Sequence, residues 1–258
     1  MSGRDGVRGA RVAAFFDVDE TLVDLKSMFR FLSFHLRRGG AAPGTDTRLL
    51  DALRGAAADG VPRTEINRRY YRLFAGESRA ELAASGREWF AAELREEPFI
   101  APVVERFHAH RERGETTVLI SGSFFACLDP IAEHLGADLA FGTRPRVGAD
   151  GRLTGEVFVP LIGEAKGRTA RAVGAVLDLD LSRSWGYGDH ASDLHLLEAV
   201  GRPVVVGADP VLRARAARGG WEVLPLAEPE SGPAPVPGPV SGSGAAAASA
   251  RVPEGVSG

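Results

Sequence analysis

The residues best suited to chemistry stand in four separate places: Asp17-Val18-Asp19-Glu20-Thr21, Ser121-Gly122-Ser123, Lys166, and Gly188-Asp189-His190-Ala191-Ser192-Asp193. The first follows an apolar run, Val12 to Phe16, that reads as a buried strand. Side chains alternate along a strand, so Asp17 and Asp19 leave its carboxyl end on the same side. Two like charges held side by side need a cation or a shared proton. The pair therefore asks for a metal, an acid/base role, or both. Each cluster alone has a plainer reading. Asp-x-Asp and the 189–193 acids suit turns, Ser121 suits a helix N-cap, and Lys166 suits a solvated helix face. Their combination, in order and mostly at strand ends, is what sets those readings aside.

The surrounding elements must bring these clusters together. Lys26 to Leu36 is apolar-rich, reads as a helix and stops at Gly39-Gly40. Residues 41–97 continue as helices: Leu49, Leu50 and Leu53, then Ile66, Tyr70, Leu73 and Phe74, then Leu82, Trp89, Phe90 and Leu94 recur at helical spacing. Gly60-Val61-Pro62 and Gly76-Glu77-Ser78 punctuate them. The spacing predicts a small helical bundle over 25–97, inserted after the first strand.

From Pro98 the pattern alternates. Helices are predicted over 99–113, 124–135, from Gly163 to Leu177, over 193–199, and from Pro210 to Ala217. Between them fall strands at Thr117–Ile120, Leu139–Phe141, Ser184–Tyr187, Val204–Val206 and a last segment at Trp221–Leu224, with a hairpin over 143–158. This alternation predicts an α/β fold, a doubly wound, mostly parallel Rossmann-like sheet built from 12–24 and 98–227. Chemistry in such sheets gathers beyond the carboxyl ends of the strands. Residues 1–11 are expected to fray, and the Pro/Gly/Ala/Ser-rich tail over 228–258 to be disordered.

A net charge of −3 gives no reason to expect nucleic acid as a partner. Cys127 is the only cysteine, so no internal disulfide can form and a reducing cytoplasm is expected. Its neighbours Phe124, Phe125 and Leu128 mark it as a small core residue. Met1 to Gly9 has no apolar core and reads as no signal peptide, and no apolar run is long enough to span a bilayer. Oligomeric state has no signature here.

Taken together, the four clusters resemble the haloacid dehalogenase superfamily of phosphatases. Its pattern is an Asp-x-Asp-x-Thr loop, a Ser or Thr after the second strand, a Lys, and a Gly-Asp-x-x-x-Asp acidic loop. The resemblance covers residues 12–225, and the helical insert is similar to the C1-type cap of the phosphoserine-phosphatase-like branch. Gly201 to Pro210 is similar to a stretch that branch carries. The resemblance implies a Mg²⁺-dependent phosphatase, and the residues suit that chemistry. Asp17 is expected as nucleophile and metal ligand. Asp19 would protonate the leaving alkoxide and then deprotonate water, and the family implies its backbone carbonyl as a further metal ligand. Asp189 is expected to bind the metal directly, and Asp193 to complete its coordination or act just outside it. Lys166 would place charge on the phosphoryl group and Asp17, while the Ser121 hydroxyl and Gly122 N–H donate to phosphate oxygens. His190 is not expected as a ligand, because hard Mg²⁺ prefers oxygen. His195, on the next helix, is assigned to packing or surface.

Phosphoserine phosphatases of this branch carry a glutamate where this chain has Lys26, and that glutamate holds the substrate's amino group. The inverted charge argues against free phosphoserine and suits a carboxylate, sugar hydroxyls or a second phosphate, although Asp24 remains near an amine's path. Arg68, Arg69, Tyr70 and Tyr71 are further substrate candidates, but helical spacing cannot put all four on one face. Glu20 replaces the glycine common at its place, and Asp-x-Asp-Glu-Thr also resembles phosphatases that act on protein tails. Those usually lack a large cap, so a small phosphorylated metabolite is the expected partner. A phosphotransferase on the same parts, or a non-catalytic binding protein of the same fold, are the alternatives.

Overall fold

The computed structural model describes residues 11–226; the tail over 228–258 and most of the N-terminal segment lie outside them. The apolar run folds as strand β1 (Ala13–Phe16), every residue of which is buried. The insert follows as four helices, α1 (Ser27–Arg38), α2 (Thr45–Ala58), α3 (Arg63–Arg72) and α4 (Arg79–Glu93), with a 3-10 turn at Leu94–Glu96. Then come α5 (Ala101–Glu112), β2 (Thr116–Ile120), α6 (Phe125–Leu135), β3 (Leu139–Phe141), the hairpin strands β4 (Pro145–Val147) and β5 (Leu153–Val157), and α7 (Glu164–Leu177). The chain continues through β6 (Trp185–Gly188), a 3-10 turn at Ala191–Asp193, α8 (Leu194–Leu197), β7 (Arg202–Val206), α9 (Pro210–Gly219) and β8 (Glu222–Leu224). The helix expected over 193–199 is therefore shorter. Its start is tightened by a capping box, in which the His190 ring accepts from the Ser192 N–H and Asp193 accepts from the His190 N–H.

Six strands form one parallel sheet in the order β3-β2-β1-β6-β7-β8. Successive strands run outward from β1 to one side and from β6 to the other, so the order reverses between these two. A crevice opens at such a reversal, beyond the carboxyl ends. Both faces of the sheet are covered. Ala13, Phe15, Val118 and Ile120 pack with Ala165, Ala170, Val173 and Leu196. On the other face, Ala14, Phe16 and Leu119 join Val103, Phe107 and the aromatic residues of the insert in one continuous cluster.

Two backbone features hold the insert to the sheet. Its entrance and exit are tied by Asp24 N–H to Pro98 O at 2.8 Å and Ile100 N–H to Leu22 O at 2.9 Å. The hairpin adds a second tie, because Gly76 and Leu153 exchange backbone bonds with their neighbours across the α3–α4 turn (Gly76 N–H to Leu153 O, Leu153 N–H to Glu77 O, both 2.8 Å). Helix α4 lies directly on α6, where Gly86 approaches so closely that an added Cβ would sit 1.9 Å from the Ala126 carbonyl oxygen. Gly86→Ala is expected to lower unfolding stability by about 1–3 kcal/mol through overpacking. Gly55→Ala, with open space in helix α2, should instead gain up to about 1 kcal/mol from helix propensity. Urea midpoints of the two variants check the pair, and equal shifts of one sign would refute this account of the α4–α6 contact.

Candidate active site

Asp17 is the first residue beyond β1, and its N–H is held by the Tyr187 carbonyl at 3.0 Å. Ser121 is the first beyond β2, with its N–H on Phe141 O at 2.9 Å. Asp189 follows β6 directly. Neighbouring parallel strands thus deliver three of the polar clusters to one edge. Lys166 arrives from the first turn of α7, whose Gly167 lets the helix press on the turn of α8. A Cβ there would lie 2.4 Å from the His195 carbonyl oxygen. Gly188 does the same for the acidic loop, since a Cβ would meet Asp193 Cβ at 2.6 Å.

The result is a buried charge cluster. Lys166 Nζ lies 2.6 Å from Asp17 Oδ1 and 2.5 Å from Asp193 Oδ1, and Asp193 is fully buried. Asp189 accepts a hydrogen bond from the Thr21 hydroxyl at 2.8 Å, which ties the first and last clusters together. Oxygens of Asp17, Asp189 and Asp193 lie within 4.8 Å of one another. Burial, then the neighbouring Asp193 carboxylate, push the Asp17 carboxyl well above the usual carboxylate range; Lys166 pulls the other way. Burial and Asp193 likewise push Asp189 up to about 6.

Asp19 sits apart from that triad. Burial pushes its carboxyl up to about 6, against the opposing hydrogen bonds from Ser27. Its Oδ1 has no hydrogen-bond partner among the described residues. The Ser27 hydroxyl also lies within hydrogen-bonding distance of the Ser123 hydroxyl, at 3.1 Å, so the start of α1 joins the first and second clusters. Between them, the turn after Asp19 is tight. Glu20 adopts φ 61°, a left-handed conformation that favours glycine, and its carboxylate pairs with Lys26 at 2.8 Å.

The Ser121 hydroxyl accepts from the Ser123 N–H at 3.0 Å, a local turn bond rather than a helix cap, since the N-cap of α6 is Phe124 and no side chain caps it. The Gly122 carbonyl is gripped by Asn67 Nδ2 at 2.9 Å, Thr143 Oγ1 at 2.9 Å and the Tyr71 hydroxyl at 3.3 Å. Sequence reasoning missed Asn67 and Thr143, because each acts on a backbone atom remote in the chain. Above the cluster opens a cavity of about 470 Å³. Helix α3 presents Arg63, Ile66, Asn67 and Tyr70 to it, while Arg68 and Arg69 are not in its lining. This corrects their expected place. Positions three and four apart share the inward face, and Arg69 turns out to pair with Glu65 at 3.5 Å. Lys26 does line the cavity, whereas His195 is exposed and Cys127 is buried.

Residues 14–198 match the family model described as haloacid dehalogenase-like hydrolase. The chain belongs to that family. Within it the chain falls in the phosphoserine-phosphatase-like branch of phosphatases. It is 32% identical over 230 residues to the "Inhibition of morphological differentiation protein" of Streptomyces azureus, covering 85% of this chain and 80% of that one. It is 30% identical over 221 residues to phosphoserine phosphatase SerB1 of Mycobacterium tuberculosis, covering 82% and 70%. A solved structure from Bordetella pertussis Tohama I, of a protein with unknown function, superposes with a TM-score of 0.76 at 30% identity, covering 84% and 99%.

The charge cluster of this haloacid dehalogenase-like hydrolase fits a hard divalent cation. Its donors are all carboxylate oxygens, and the three acids outnumber the lysine among them. Among the described residues no helix is long and apolar enough to cross a membrane. Removing the lysine leaves buried carboxylates without countercharge, so Lys166→Met should lower stability by about 3–5 kcal/mol in metal-free neutral buffer. Adding Asp193→Asn should restore part of it. A single-variant loss under about 1 kcal/mol in urea titrations would show that the cluster does not depend on this cation.

Proposed function

We propose that this hydrolase is a Mg²⁺-dependent phosphatase acting on a small phosphomonoester through an aspartyl-phosphate on Asp17. The observation that supports this most is the meeting of Asp17, Lys166, Asp189 and Asp193 in one buried cluster at the sheet's carboxyl edge. Asp17, Asp189 and the Asp19 main-chain carbonyl would hold Mg²⁺, with Asp193 completing or bracing the set. The ion supplies the countercharge that lets a carboxylate approach a phosphate dianion.

The chain's own groups account for the steps. An Asp17 carboxylate oxygen attacks phosphorus as the bond to the ester oxygen breaks, and the leaving oxygen takes its proton from Asp19. Water then gives a proton to the Asp19 carboxylate and attacks phosphorus. The bond to Asp17 breaks and inorganic phosphate leaves. Asp19 suits this task because its buried, unpartnered Oδ1 awaits a proton-sharing partner. Lys166 favours the ionised form of Asp17 against burial and faces the transferring group, while the Ser121 hydroxyl and Gly122 N–H donate to its oxygens. The helices over 25–97 act as the cap that walls the cavity from bulk water. A reducing, cytoplasmic location suits the single, buried cysteine.

With p-nitrophenyl phosphate and Mg²⁺, Asp17→Asn should lose at least about a thousandfold in rate and Asp19→Asn about 10²–10⁴-fold. After acid quench, phosphate should be found on the peptide that contains Asp17. Full activity in Asp17→Asn, with an unchanged circular dichroism spectrum, would refute the assignment. Mg²⁺ at a hundred times its Kd should stabilise the wild type by about 2.7 kcal/mol. In Asp189→Asn the same addition should leave Tm nearly unmoved, and an equal rise in both proteins would remove Asp189 from the metal site.

A further inference from the structure

The cavity's charge lies in two zones. The acids Asp17, Asp19 and Asp189, with Lys166, sit on its floor, whereas its exposed charged residues are Glu20, Lys26, Arg54 and Arg63. The cavity is also lined by the apolar Met28, Phe29, Leu53 and Ile66, beside polar groups that include Asn67 and His190. Of the rim groups, Glu20 is already paired with Lys26 at 2.8 Å. Arg54 pairs with Asp51 at 2.9 Å and lies over the Phe29 ring. Arg63 has no ion-pair partner among the described residues.

An ammonium group entering this space would therefore find no carboxylate that is neither on the reacting floor nor already paired. The Asn67 amide oxygen has no hydrogen-bond partner among the described residues, but it carries no charge to balance a cation. An anion would find Arg63 unengaged. We propose that the rim selects phosphomonoesters whose far end is a second anion joined through an apolar stem, and that Arg63 is the residue that receives it. The shared chemistry is a carboxylate or a second phosphate. This reading rests on the phosphatase assignment for the position of the reacting phosphate.

The test uses non-hydrolysable phosphonates of one chain length, so that only the far end varies. Hexylphosphonate and its ω-carboxy, ω-phosphate and ω-amino counterparts are titrated calorimetrically into the full chain with Mg²⁺. The carboxy or phosphate probe should bind about tenfold tighter than the amino probe, and whichever of the two is tighter identifies the anion. High salt should narrow the gap, as expected for exposed charges. In Arg63→Glu the preference should vanish or invert, while plain hexylphosphonate binds within about twofold of wild type. That variant is expected to fold, because a glutamate in the first turn of α3 opposes no structural contact and suits the helix dipole. Lys26→Ala, which unpairs Glu20, should raise the affinity of the amino probe.

An amino probe that binds as well as the anionic ones, an unchanged preference in Arg63→Glu, or no binding of any phosphonate would each overturn the proposal. Hydrolysis of n-hexyl phosphate is followed separately. Without turnover but with the anion preference intact, the phosphatase reading fails and the rim selectivity stands. With turnover but an ammonium preference, the rim selectivity alone fails.

Discussion

Three carboxylates share one buried lysine, and that imbalance governs the rest of this molecule. Each acid loses hydration at the sheet edge, which is why Asp17 and Asp189 are pushed upward despite the ammonium beside them. A folded chain tolerates such a cluster only if every group is held in place, since a misplaced buried charge loses its partner without regaining water. The two glycines next to the charged residues serve this requirement. Gly167 lets α7 press against the His195 carbonyl and so delivers Lys166, while Gly188 leaves room for the Asp193 side chain. Neither glycine touches the reacting centre through a side chain, because each contributes only the space it leaves. The surplus negative charge that remains is what makes the floor a place for a cation.

The same logic explains why the floor and the rim differ. The charged cluster on the floor is fixed by short contacts across three distant stretches of chain. Rim groups are long, half-solvated side chains, and their pairs contribute little to stability. Their influence lies in which charges can approach, which is a matter of sign more than of strength. A cavity built this way separates two tasks. On the proposed reading the floor serves the phosphoryl group, and discrimination is left to residues that can vary without disturbing the core.

Much of this was legible in the residues because the informative patterns are local. The all-apolar run before Asp17, the strand–helix alternation after Pro98 and the Gly148–Gly151 turn of the hairpin each announce an element within a few positions. The order of polar clusters was enough to anticipate that Asp17, Ser121, Lys166 and Asp189 would meet. What stayed hidden depends on the phase of a helix or on backbone atoms. Arg68 and Arg69 drew attention by charge, yet α3 begins at Arg63, and that phase turns Arg63, Asn67 and Tyr70 inward instead. The three donors on the Gly122 carbonyl, and the backbone bonds between the hairpin and the α3–α4 turn, leave no trace in side-chain patterning. Glu20 at φ 61° is a half-visible case. Its departure from glycine could be read, but not the strained conformation it keeps or the lysine it meets.

The insert's attachment bears on how a substrate enters. Phe124, at the start of α6, packs against Phe31, Tyr70, Tyr71 and Phe74, with ring centroids between 5.3 and 6.2 Å. Trp89 adds its ring to Phe31 and donates its indole N–H to Glu93, which also holds Arg30. Separating α4 from α6 would expose that cluster and undo the close contact at Gly86, at a cost of many buried side chains. Helix α2 is held more lightly, through Leu50 and Leu53, and Leu53 itself lines the cavity. Rigid-body hinging of the whole insert is thus the expensive way to widen the entrance, and displacement along α2 the cheaper one. The residues that such a displacement would move, Leu53 and Arg54, belong to the wall and rim, so the floor keeps its geometry while the entrance changes.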